Sequence, residues 1–221
     1  MHKIAFGCFI VLLTAGCRKT SIGNTANNNA TDIFPDKVGD TWQYLVNDTS
    51  ISVISSQNKT VTHYNLTVSI IDSVYLPASI HGIPLPFGKA AKVWVYNYPG
   101  FPDTNFVYQS ADTVIFFDVN QSSKSFARQY IIPFQLHNAW PYTVAGLGEV
   151  TVEGQVNVVV GQNKFDNAFF IDGGAGYPDE EFNVSEWIEN NVGIVKRYVQ
   201  TGGISGVNHD TKWSLVSYQL K

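Results

Sequence analysis

The sequence predicts an all-β protein, a single antiparallel meander curled into a half-barrel or barrel, with a β-sandwich as the alternative. Three observations lead there. From about residue 41 onward, apolar and polar residues alternate with a period of two, in runs enriched in β-branched and aromatic side chains. Turn-forming clusters punctuate those runs at short intervals: Asn47-Asp48, Gln57-Asn58, Pro84 to Gly88, Pro99-Gly100, Asn120-Gln121-Ser122, Gly161-Gln162-Asn163, Gly173-Gly174-Ala175-Gly176 and Gly202-Gly203. No window of a dozen residues carries a 3.6-residue apolar stripe. Short connections make sequential strands antiparallel neighbours, and a long meander closes on itself to remove its edges.

Taken in order, residues 1–16 read as a removable signal segment. His2 and Lys3 form a basic head, Ile4 to Leu13 an apolar run, and Thr14-Ala15-Gly16-Cys17 a small-residue cleavage site that ends in cysteine. The apolar run is well short of the ~20 residues that cross a bilayer as a helix. Leu13-Thr14-Ala15-Gly16-Cys17 resembles the lipobox of bacterial lipoproteins. That resemblance implies cleavage between Gly16 and Cys17 and attachment of diacylglycerol and an N-acyl chain to Cys17, several chains being what stable anchoring takes. No aspartate follows Cys17, which in enteric-type lipoproteins goes with transfer to the outer membrane. The expected location is therefore the outer membrane, lipid-anchored. Cys8 lies in the removed segment, so the mature chain has no thiol pair for a disulfide.

Residues 17–32 are rich in Asn and Thr and poor in large apolar side chains, the composition of a flexible tether. The domain proper spans 33–221. Strands are expected near 41–47, 50–56, 63–76, 89–98, 104–110, 113–120, 125–133, 148–160, 167–172, 183–189, 193–201 and 212–219. Between the third and fourth lies an apolar but turn-like insert, Pro77 to Gly88, suited to covering a barrel edge, the more common use of such a segment, or to serving as a partner-binding lip.

Three segments are similar to a pattern in uncharacterised lipoproteins abundant in Bacteroidota envelopes. They are Phe34-Pro35-Asp36-Lys37-Val38-Gly39-Asp40-Thr41-Trp42-Gln43-Tyr44, the run Val158 to Ala168, and Trp187 to Arg197 with Leu215-Val216-Ser217-Tyr218. The resemblance implies an antiparallel meander closing into a half-open barrel, like periplasmic lipoprotein carriers, and brings no activity with it. Residues 48–147 have no counterpart in it.

Composition excludes some classes of function. Without residues 1–16 the chain has 13 basic against 18 acidic side chains and no basic block, so nucleic acid is not an expected partner. Charged residues make up only 14% of the chain, and aromatic residues another 14%. His63, His81, His137 and His209 fall at no metal-ligand spacing, and no nucleophile motif or dinucleotide loop is present, so neither an enzyme, a metal nor a cofactor is expected. The loop Asp172 to Glu181 gathers carboxylates around glycines, as an oxygen-ligand calcium site does, but in no known register. Asp72-Ser73-Val74 and Asp112-Thr113-Val114 look like short O-glycosylation tripeptides of envelope proteins.

For binding, Trp140 in Asn138-Ala139-Trp140-Pro141-Tyr142 reads as an exposed loop aromatic, with Tyr98 and Phe101 beside Pro99-Gly100 as companions able to stack on a sugar or apolar ligand. The expectation is a lipid-anchored binding or carrier module for an apolar or amphipathic ligand. The alternative is a structural lipoprotein that docks to an outer-membrane protein or glycan.

Overall fold

A computed structural model describes residues 33–52, 58–77, 79–80, 83–84, 89–118, 127–143, 146, 148–176, 180–203 and 206–221. Gly16, Cys17, the signal segment and the tether lie outside the described residues. The strands are β1 Thr41–Ser52, β2 Lys59–Tyr75, β3 Ser79–Ile80, β4 Ile83–Pro84, β5 Ala90–Tyr98, β6 Phe101–Gln109 and β7 Thr113–Asp118. They continue with β8 Arg128–Ile131, β9 Ala139–Pro141, β10 Glu149–Val160, β11 Asn163–Gly176, β12 Glu180–Glu189, β13 Gly193–Gly203 and β14 Val207–Gln219. The described residues contain no helix.

Twelve of these strands form one sheet in the order β8-β7-β6-β5-β2-β1-β14-β13-β12-β11-β10-β9, every pairing antiparallel. Followed around the barrel, this is chain order, with the first strand paired to the last. The all-β meander barrel is what the alternation predicted. The ladder fails only between β8 and β9, where a single bridge joins Arg128 to Thr143 and the Gln129 amide donates to Tyr142 O at 2.9 Å. The barrel is nearly closed, with an unsealed seam. Register shifts at Gln43/Tyr44, Ile70/Asp72, Val152/Gly154, Val156/Val158 and Trp187/Ile188 supply bulges of the kind that bend a sheet toward closure.

Several expected turns are instead strand. Asn47 and Asp48 sit inside β1, paired to β2 and β14, because the sheet satisfies their side chains: Asn47 Oδ1 meets His63 Nδ1, and Asp48 Oδ1 accepts from Thr211 Oγ1 at 3.2 Å. Gly173 and Gly174 pair across β10, β11 and β12. A Cβ there would lie 2.0 Å from Glu149 O and 2.1 Å from Phe182 O, so glycine serves close backbone approach rather than a turn. Gly202 and Gly203 likewise end β13 in strand. The insert after β2 carries the small β3–β4 hairpin, apart from the main sheet.

Apolar side chains point inward and polar ones such as Gln43, Asn65, Gln155, Lys196 and Lys212 outward, the reverse of a barrel that spans a membrane. One continuous core fills the barrel. A second, smaller cluster of Leu76, Ala91, Phe117 and Ala127 packs with Phe106 and Tyr108 of β6 and Ile115 of β7.

Candidate functional site

The two ends of the barrel differ. At one end, the base, Ile33 and Phe34 fold under the strands and are buried beside Trp42, Trp94, Phe116 and Tyr130. Trp42 stacks on Trp94 with centroids 4.8 Å apart and donates its indole N–H to Val192 O at 2.7 Å. Tyr44 donates to Ile194 O at 2.8 Å, which ties β1 to the start of β13. Asp40, also buried, accepts from the Lys37 amide at 3.0 Å and the Lys221 amide at 2.7 Å, so it joins the first turn to the last residue. A cavity of about 10 Å³ remains there, bounded in part by Trp94, whose indole N–H has no protein acceptor. That is room for about one water and none for an acyl chain.

Toward the other end, the mouth, burial fades along β1, β13 and β14. In β1 the inward residues Trp42, Tyr44 and Val46 are buried while Asp48 and Ser50 are half-exposed. In β14 the buried Leu215 and Trp213 give way to half-exposed Thr211, and in β13 buried Val195 gives way to half-exposed Val199 and Thr201.

Between base and mouth lies a layer of charge. Glu186 of β12 is fully buried. Tyr130 of β8 donates to its Oε2 at 2.8 Å and Tyr142, just past β9, to its Oε1 at 3.4 Å. Arg197 Nε lies 3.0 Å and Arg128 Nη1 3.5 Å from the same Oε1, as ion pairs whose N–H bonds are not aimed for hydrogen bonding. Arg197 also donates from Nη2 to the Tyr142 hydroxyl at 3.2 Å. Each guanidinium lies over an aromatic ring, Arg128 over Phe116 at 4.8 Å and Arg197 over Trp213 at 5.1 Å. Burial, and then the neighbouring Glu186 charge, hold the Tyr130 hydroxyl well above its ordinary pKa, so it stays a donor. Glu186 thus reaches from the opposite wall to β8 and to the segment after β9, the two sides of the seam.

Both arginine side chains keep 13% exposure, and above them an aromatic ladder climbs the inner wall. Tyr96 lies near Arg128 and stacks on Tyr98, Tyr98 stacks on Phe101 at 5.4 Å, and Tyr64 meets Tyr98 edge-on at 6.3 Å. Phe101 tops the ladder at 60% exposure. Burial raises the Tyr98 hydroxyl above its ordinary pKa, and the positive charges of Arg197 and Arg128 pull it back in part.

Of the three aromatics expected to bind, two therefore stand together at the mouth. Trp140 does not join them, and its expected exposure is overturned. It forms β9, is 4% exposed, stacks on Phe134 at 5.9 Å and donates to Gln129 O at 2.9 Å across the seam. A short strand pairing with β10 and an acceptor for the indole make it a seam residue.

Glu186, Arg128 and Arg197 were missed in the sequence. The signal was there: Glu186 stands between Val184 and Ile188, and Arg197 between Val195 and Val199, charges on the inward phase of apolar alternation in a charge-poor chain. In the acidic loop, Asp172 accepts from Ser185 at 2.5 Å and Glu181 from Asn183 at 3.1 Å. Residues 177–179 lie outside the described residues, and among those described no three His, Cys, Asp or Glu side chains cluster as metal ligands.

No family model matches this chain, and no curated protein matches it. A crystal structure of a protein from Parabacteroides distasonis, provisionally described as a lipoprotein, is similar to 86% of this chain and 99% of its own, at 11% identity and a TM-score of 0.30. At that distance the likeness assigns neither fold nor function.

Proposed function

We propose that this chain is a lipid-anchored envelope protein that works as a non-enzymatic binding module and takes an amphipathic ligand at the mouth of its barrel. One observation carries this reading: inward residues pass from a filled base to a half-exposed mouth where Tyr96, Tyr98 and Phe101 rise from the Arg128–Glu186–Arg197 layer. Flat apolar faces beside fixed polar groups are the usual composition of a small-molecule site. A ligand threaded through the barrel is disfavoured, because the base is packed. The anchor is Cys17, and the location proposed is the outer membrane.

Native mass spectrometry of the full chain, extracted in mild detergent from its own envelope, tests both parts. The expected spectrum shows acylation at Cys17 and a stoichiometric adduct that is lost in Phe101→Ala. A Cys17→Ser chain is expected in the aqueous fraction. An unacylated chain or a clean ligand-free mass would contradict the corresponding part.

A further inference from the structure

We infer that the ligand held at the mouth is a saccharide, an inference that rests on the binding reading above and gives it a chemistry. An acyl tail entering from the mouth finds no slot beneath it, since the cavity beside Phe34, Trp42 and Trp94 is about 10 Å³ and holds no methylene chain. A simple anion fits poorly, because the two guanidiniums already share Glu186, and carboxylates stand beside the same aromatics: Asp48 near Tyr64 and Asp103, itself partnered, opposite Tyr96. A simple cation meets the arginines.

What remains is a neutral wall of stacked rings with donors and acceptors interleaved. Tyr98 and Phe101 lie nearly parallel, at 22°, and Phe101 is the most solvent-exposed ring of the ladder. Asp48, already bonded to Thr211, stands beside Tyr64 of the same ladder, and Arg128 and Arg197 stand beside Tyr96 at its foot. A sugar ring offers one apolar C–H face to stack on an aromatic and a rim of hydroxyls, each both donor and acceptor. It alone among these classes uses both signs of charge without a net charge of its own.

The test is binding of the full-length chain in detergent micelles to a panel of immobilised neutral and acidic oligosaccharides, with displacement of a fluorescent fatty acid as the parallel arm. At least one oligosaccharide is expected to bind, with affinity reduced about tenfold in Phe101→Ala and recovered in Phe101→Tyr. Phe101 is exposed, so near-ultraviolet circular dichroism and melting temperature are expected to match the parent chain. Binding of the fatty acid alone, sensitive to Phe101→Ala, would overturn the saccharide and leave the mouth as the site. Sugar binding untouched by both Phe101→Ala and Tyr98→Ala would overturn the mouth. Binding of neither probe would overturn the saccharide.

Discussion

The base and the mouth of this barrel are built on the same strands, yet they use them differently. At the base, β1 carries Trp42 and Tyr44, whose polar tips end on Val192 O and Ile194 O, so both of these rings are packed and satisfied. Eight residues further along β1, Ser50 faces half into solvent, and the neighbouring strands carry threonine and tyrosine in the same phase. One end is therefore built for stability, and the other is the end to which the proposed binding role is assigned. The charged layer between them serves both: Glu186 draws the two sides of the seam together, and its arginines form the floor of the mouth.

The largest effect should come from the base. Trp42→Ala removes a buried stacked ring and leaves Val192 O without its donor, and is expected to cost about 3–5 kcal/mol in denaturant unfolding. A cost near zero would mean the base is not where stability resides. Next is Glu186→Ala, which leaves two enclosed guanidiniums without their shared carboxylate. Its expected cost is about 3–5 kcal/mol, by the general behaviour of broken buried ion pairs, with the lower end favoured because the arginines retain some exposure. Hydrogen exchange should rise first in β8 and β9, the strands on either side of the seam. Faster exchange spread evenly over all strands would show that Glu186 does not act at the seam.

A smaller, pH-dependent effect sits at the end of β12. Burial, and then the Asp166 charge, push the Glu189 carboxyl up to about 7, and its Oε2 has no hydrogen-bond partner. The folded chain thus binds the proton more tightly than the unfolded one. Stability from this group is fully present below about pH 4.5, the ordinary value, and is lost as pH rises through about 7. Solvent screening at this half-buried position holds the change to on the order of 1 kcal/mol. Glu189→Gln should flatten the stability profile between those pH values, and an unchanged profile would assign the dependence elsewhere. Smallest of all, Phe101→Ala should alter unfolding by less than about 0.5 kcal/mol, as surface substitutions do, while removing the ligand adduct.

Trp94 and Trp213 were legible in the sequence as strand residues, the first from the run Val93-Trp94-Val95-Tyr96 and the second from its apolar-polar alternation with Lys212, Ser214 and Leu215. Trp140 was not. Its Pro and Asn neighbours read as loop, and only pairing with β10 turns three residues into a strand that buries the indole. The glycines of Gly173-Gly174 misled for a related reason: a missing Cβ serves a turn or a close approach equally well, and only tertiary structure distinguishes them. The meander was legible because hydrophobic phase and turn spacing are local. The charged layer depends on which inward positions share a depth in the barrel, and residues 128, 186 and 197 meet only after the strands have found their register.

Hydroxyl-radical footprinting of the full chain in detergent micelles measures the difference between the two ends directly, residue by residue, on aromatic side chains that report well. The expected result is strong oxidation of Phe101, intermediate oxidation of Tyr98 and Tyr64, and near-complete protection of Phe34, Trp42, Trp94 and Trp140. Oxidation of Trp42 and Phe34 at the rate of Phe101 would mean that the base is open and the barrel has no filled end.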